Sequence, residues 1–239
     1  MPYERAQAGG CFGPEFTSVF FFENVFWRVV IPVVFGTDVS VDTLASLVTM
    51  PACLRSRLVN LPKIRAAYKE HWRDCMDYYL GRDAVRMRFV HDEVGMEPIT
   101  GLPSGFVEGL DRDLRSAIAD LSQDEPNSNA MHNARMAAEK ALKSFLCLRH
   151  GYTEASVKRD FGHDIDKLMA EIARMAPGSE FATLQAHVKT FASYSDRYTD
   201  MCYGRADLWN AYRFAQFAAA ALMRVLFPSC RYIGEPSGP

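Results

Sequence analysis

His163-Asp164 is the sharpest local pairing of reactive residue types in this chain. An imidazole beside a carboxylate can act as a general base or contact a phosphate. The same dipeptide can simply open a helix, with Asp164 favourable near the positive helix N-terminus; the structural role is the preferred reading. Arg197 and Tyr198 lie in a polar stretch flanked by Asp196 and Asp200. The arginine could clamp a phosphate while the tyrosine stacks on a base. Equally, Arg197 could pair with the neighbouring acids and Tyr198 could pack the end of a bundle. Lys140, Lys143, Arg149, Lys158 and Arg159 concentrate positive charge around one predicted helix end, where cations are favoured without any ligand. A solvated basic face is the default expectation there. His71 and Cys75 are four residues apart, a spacing that paired metal ligands use. No second ligand pair follows, so a buried stripe with Trp72 and Tyr79 is the better account. Phosphate-binding glycine loops, the nucleophile elbow and H-E-x-x-H are all missing from the sequence. No metal and no cofactor are therefore expected.

The elements that must position these residues are mainly helical. Residues 16–35 are dense in Phe and Val and read as a strand or a buried helix, broken by Pro32. Its aromatic residues Phe20, Phe21, Phe22, Phe26 and Trp27 suit interior packing, or a partner surface. Helical spacing is predicted at 41–48, at 52–59 and, most clearly, at 62–80, where Gly81 is expected to end the helix. Alternation at Val85, Met87 and Phe89 permits a short strand within 83–94. A further helix is predicted over 106–121. The segment 122–129 is polar, holds Pro126 and has no apolar residue. It reads as a linker between an N-terminal, mostly helical domain (1–121), with room for a short strand pair, and a C-terminal domain (130–239). In the second half, helices are predicted at 129–150 (closed by Gly151), 164–175, 180–194 and 204–226, with a loop before His163. Joined by short to moderate connections, these four form an antiparallel bundle followed by a flexible tail.

Three pieces of this half carry a family resemblance. They are N-A-R-M-A-A-E-K-A-L-K-S-F-L at 133–146, G-H-D-I-D-K-L at 162–168, and Y-S-D-R-Y-T-D at 194–200 before an alanine-rich last helix. In this order they resemble HEPN domains, over about 100 residues from Ser128 onward. The resemblance implies a four-helix bundle, often homodimeric, that either binds nucleotide or RNA or cleaves RNA without a metal. Cleaving members carry R-x(4–6)-H near the last helices. Here His187 precedes the 195–200 turn, Arg159 and His163 are one residue too close, and the suitably spaced Arg86 and His91 fall outside the segment. The departure moves the expectation from cleavage to binding. His163, Asp164, Arg197, Tyr198 and Lys143 become the candidate ligand contacts. His163, Arg159 and Arg197 remain the candidates should the chain be a toxin-like or phage-defence ribonuclease. A structural dimer or adaptor without ligand is the third possibility, with the N-terminal half contacting a partner protein.

Composition bounds these readings. A length of 239 residues with 49% hydrophobic and 23% charged residues is ordinary for a folded globular chain. A net charge of −2 gives no general attraction to nucleic acid, so any such site must be local. The six cysteines are scattered without C-x-x-C, which favours reduced thiols. The apolar run 19–35 contains Glu23, Arg28 and Pro32, and each charge at a bilayer centre would cost roughly 2.5–3.5 kcal/mol. No membrane span and a cytoplasmic location are expected.

Overall fold

The computed structural model describes residues 16–22, 24–31, 61–90, 101–191 and 201–228. It is mainly helical. The helices predicted at 41–48 and 52–59 and the C-terminal tail lie outside the described residues.

The aromatic stretch near the start is a β-hairpin, not a helix. Strands β1 (Phe16–Phe22) and β2 (Val25–Ile31) pair antiparallel, with Phe16 opposite Ile31 and Phe22 opposite Val25. Asn24 takes φ 63° in the tight turn, a conformation asparagine tolerates better than most residues. β1 packs on helices α1 (Leu61–Val90) and α2 (Ser104–Leu121), and Ser18, Val19 and Phe20 are buried there. Phe20 and Phe21 meet the Trp209 ring, at 6.3 and 6.0 Å between centroids.

α1 corrects two expectations. Gly81 does not end it, and residues 83–90 continue the helix instead of forming a strand. The glycine is there for packing: an added Cβ would stand 2.8 Å from Cγ of Met223. Local alternation at 85–89 is overridden by helical continuity from the preceding turns. Gly81→Ala is accordingly expected to lower stability by about 1–3 kcal/mol through overpacking, outweighing alanine's better helix propensity. Thermal melts check this, and adding Met223→Ala should recover part of the loss. A stabilised Gly81→Ala protein would contradict the close approach.

After α2, the polar residues 122–129 make a turn into α3 (Asn129–His150). Ser122 Oγ donates to Ile118 O and Asn133 Nδ2 to Asp120 Oδ2 across it. α2 packs along α3, and the apolar core is continuous across this turn. Gly151, at φ 70°, closes α3 where glycine was expected to. The stretch expected as a loop contains a helix, α4 (Glu154–Phe161). Thr153 and Ser156 cap it reciprocally, a T-x-x-S version of the capping box with serine in place of the usual acid or amide. α5 (Ile165–Met175) follows, with the Asp164 carboxylate accepting from Lys167 N at 3.0 Å.

The element beginning at Glu180 is a 3₁₀ helix (Glu180–Thr190), not an α-helix. Eleven residues is long for this geometry, which usually runs three or four. The last helix, α6 (Arg205–Leu226), lies at the centre, packed on α1, α3 and the 3₁₀ helix. Ala215, Ala218, Ala219, Ala220 and Ala221 are buried on it, as are Ala134, Ala137, Ala138 and Ala141 on α3. Such small side chains let helix axes approach closely. Among the described residues, no helix is long and apolar enough to cross a membrane.

Candidate functional site

The first two sequence pieces that looked alike to a known family touch each other. Glu139 and Lys143 sit one turn apart on α3 and form a 2.6 Å ion pair, with side chains only 3% and 4% exposed. Lys143 Nζ also donates to Gly162 O, and Arg135 Nη2 donates to His163 O at 2.8 Å. His163 Nδ1 lies 3.1 Å from Glu139 Oε2, while the rest of its ring is half-exposed. Gly162 turns here at φ 53° and ψ −123°, which a side chain would resist. Three α3 side chains therefore hold the turn that aims α5, and Asp164 caps that helix. The physical need is plain: a buried cation and a buried carboxylate must satisfy each other and the nearby carbonyls.

Other candidates are placed differently. Arg159 is largely exposed and engages Asp160 at 2.7 Å; His163 turns to Glu139. Lys158 reaches Glu154 at 3.4 Å, and its ammonium lies 5.0 Å from the Phe106 ring centre. Lys140 pairs with Asp113, and Arg149 donates to Val225 O at 3.4 Å. The basic residues thus do not form one solvated face, since Lys143 is internal. Arg197 and Tyr198 lie outside the described residues, as does His91.

His71 and Cys75 belong to a buried polar network. Ser18 Oγ is 3.2 Å from His71 Nε2, 2.9 Å from Cys75 Sγ and 3.0 Å from Tyr212 Oη. Tyr212 in turn donates to Gln216 Oε1 at 3.2 Å. Burial drives the imidazole down to about 4, with the hydrogen bond to the Val19 backbone opposing it, and pushes the Cys75 thiol far up. A serine beside a histidine is the geometry of an activated nucleophile. Here both are sealed from solvent, so the network pins the hairpin to α1 and α6 and offers no substrate access. Among the described residues, no three His, Cys, Asp or Glu side chains gather around a possible metal position.

One cleft was not anticipated. It lies between the 3₁₀ helix and α6, with Asp74 of α1 contributing, and has a volume of about 400 Å³. That is within the ordinary range for small-molecule sites. Thr183, Leu184, His187 and Thr190 line one side; Asn210, Arg213, Phe214 and Phe217 line the other. A smaller recess of about 250 Å³ shares Thr190 and Asn210 and adds Lys189, Tyr203 and Asp207. Asp74 is held by Arg224, whose guanidinium donates to Asp74 Oδ1 at 3.2 Å, Asp77 Oδ2 at 2.8 Å and Glu180 Oε2 at 2.7 Å. Burial raises the Asp74 carboxyl to about 6 against the pull of Arg224. The cleft thus combines a fixed carboxylate, an amide, two hydroxyls, an imidazole and a guanidinium with two aromatic rings. The recurrence of 210, 213, 214 and 217 was a helical stripe visible in the sequence, but nothing local showed what faced it. No family model, no curated protein and no solved structure matches this chain.

Proposed function

We propose that this chain is a HEPN-like module that binds a nucleotide, an RNA or a protein partner and does not cleave RNA. In this reading α3, α5, the 3₁₀ helix and α6 correspond to an antiparallel four-helix bundle, and the protein acts as a homodimer. The observation that carries it is the cleft beside α6, which gathers polar groups of both signs next to aromatic side chains. The use of Glu139 and Lys143 as internal braces fits binding as well, because it spends the family-like α3 residues on architecture. Isothermal titration of the purified protein with mononucleotides and short RNAs tests the reading, alongside light scattering for the dimer. Micromolar binding to one of these ligands is expected. Binding to none would leave a structural or adaptor role, with the hairpin half contacting a protein.

Ribonuclease activity is favoured by one specific observation: His163 is half-exposed and oriented by the Glu139 carboxylate, as a general base would be. Cleavage of diverse RNAs by wild-type protein, lost in His163→Ala, would establish that alternative. Intact RNA in both cases is the expected result.

A further inference from the structure

We infer that the cleft beside α6 takes a mononucleotide with a guanine-type base, the base edge donating to Asp74 and the phosphate lying toward Arg213. The inference rests on the nucleotide-binding reading above and specifies its ligand.

Four observations lead to it. First, Asp74 is an immobilised acceptor. Arg224 donates to Oδ1, and Arg224 is itself fixed by Asp77 and Glu180, so the carboxylate cannot swing away from a ligand. An ionised carboxylate only accepts hydrogen bonds, and its two oxygens offer about four lone-pair positions. One arginine contact leaves capacity for two further donors. Among the standard bases, guanine alone presents two adjacent donors on one edge, N1–H and the 2-amino group. Adenine, cytosine and uracil each place an acceptor beside a donor there, which would face the carboxylate with a lone pair.

Second, aromatic side chains border the cleft. Phe214 and Phe217 stand three residues apart on α6 and both line the cleft. Stacking on aromatic side chains contributes to base binding without distinguishing bases, so selection falls to the polar groups. Asn210 supplies a side-chain NH2 that can donate to the acceptor side of guanine, O6 and N7.

Third, positive groups border the same cleft as the acid. Arg213 is exposed, with its guanidinium 5.8 Å from the Trp209 ring centre, and His187 is exposed on the facing 3₁₀ helix. Lys189 lies in the adjoining recess. A phosphate placed there meets the positive charge of Arg213, while the base lies against Asp74. Fourth, a single nucleotide is commensurate with a cavity of about 400 Å³. With a carboxyl that titrates near 6, Asp74 is ionised at neutral pH and acts as an acceptor.

The test is calorimetric titration of the full chain, at neutral pH, with GMP, IMP, AMP and CMP. GMP is expected to bind best. IMP, which lacks only the 2-amino group, should bind roughly tenfold more weakly, as loss of one charge-assisted hydrogen bond predicts. AMP and CMP should bind at least about 100-fold more weakly, because an acceptor then faces the buried carboxylate. Asp74→Asn should erase the difference between GMP and AMP. Circular dichroism establishes that this variant folds. Arg213→Gln, a surface change, provides the second variant: it should weaken GMP while leaving guanosine within about twofold. Equal affinities for GMP and AMP would overturn the base assignment while leaving nucleotide binding intact. A folded Asp74→Asn protein that still prefers GMP would overturn it too. Failure of all four nucleotides and of short RNAs would remove the nucleotide-binding reading itself, and this inference with it.

Discussion

Lys143→Met is expected to cost about 3–5 kcal/mol of folding stability, the usual consequence of stranding one partner of a buried ion pair. Both side chains of the Glu139–Lys143 pair are almost fully buried, so water cannot replace the lost ammonium. The substitution also removes the donor to Gly162 O. Glu139 keeps His163 as a neighbour, which places the loss toward the lower end of that range. Chemical denaturation of wild type and variant gives the value directly. In a thermal melt the same loss should appear as a fall of roughly 6–20 °C for a chain of this size. Replacing both partners, as Glu139→Met with Lys143→Met, should be less damaging than the lysine change alone, because no uncompensated charge stays inside. A Lys143→Met protein within about 1 kcal/mol of wild type would mean that the pair is hydrated and that the 161–164 turn is held by other contacts. The outcome bears on function as well. If Lys143 is a brace, its loss should disturb α5 and leave nucleotide affinity in the folded fraction unchanged.

Stability should depend on pH through His71, and the dependence should emerge most clearly in a difference experiment. The imidazole is buried, and its pKa falls from 6.5 to about 4 on folding. Between those values the unfolded chain binds a proton that the folded chain refuses. Stability therefore rises with pH across this window; the contribution is complete above 6.5 and is lost as pH falls toward 4. The span corresponds to about 3 kcal/mol. Asp74 works the opposite way. Burial raises its carboxyl from 3.8 to about 6, so the folded chain binds the proton more tightly, and the associated stability is lost as pH rises through that window. The two contributions overlap in pH and oppose each other, so wild-type stability should vary less between pH 4 and 6.5 than either group alone would dictate. His71→Gln removes one of them while keeping polar atoms near Ser18. The stability advantage of wild type over this variant should grow by about 3 kcal/mol as pH rises from 4 to 6.5. Asp74→Asn should change the profile in the other direction. A constant difference between wild type and His71→Gln across this range would show that His71 is accessible to protons in the folded chain, and that the network around Ser18 opens.

How much of this could be read from the sequence depends on the range of the interactions involved. The helices at Ser104–Leu121, Asn129–His150, Ile165–Met175 and Arg205–Leu226 were legible because each carries its apolar residues at helical spacing over two or more turns. Gly151 and Asp164 were legible as terminators because capping is satisfied within a few residues. Where a local sign has two physical meanings, only contacts from distant parts of the chain choose between them. Gly81 can end a helix or admit a neighbouring side chain, and only Met223, far along the chain, decides between them. The polar residues 122–129 have a composition that serves a helix–helix turn as well as a linker, and only the shared face of α2 and α3 shows that they join packed helices. Thr153 and Ser156 carry only a weak capping signature, because serine replaces the usual acid or amide of the capping box.

The candidate site divides along the same line. Residue type, spacing and order were sufficient to single out His163, Asp164 and Lys143 and to expect a mainly helical chain. They could not say that Lys143 faces Glu139 inside the protein, or that Ser18 meets Tyr212 almost two hundred positions away. Periodicity records which face of an element is apolar; it carries no information about what that face meets. Partners, burial and hence charge environment arise only when distant elements close on one another. For that reason the cleft formed by Asp74, the 3₁₀ helix and α6 became visible only in the tertiary structure.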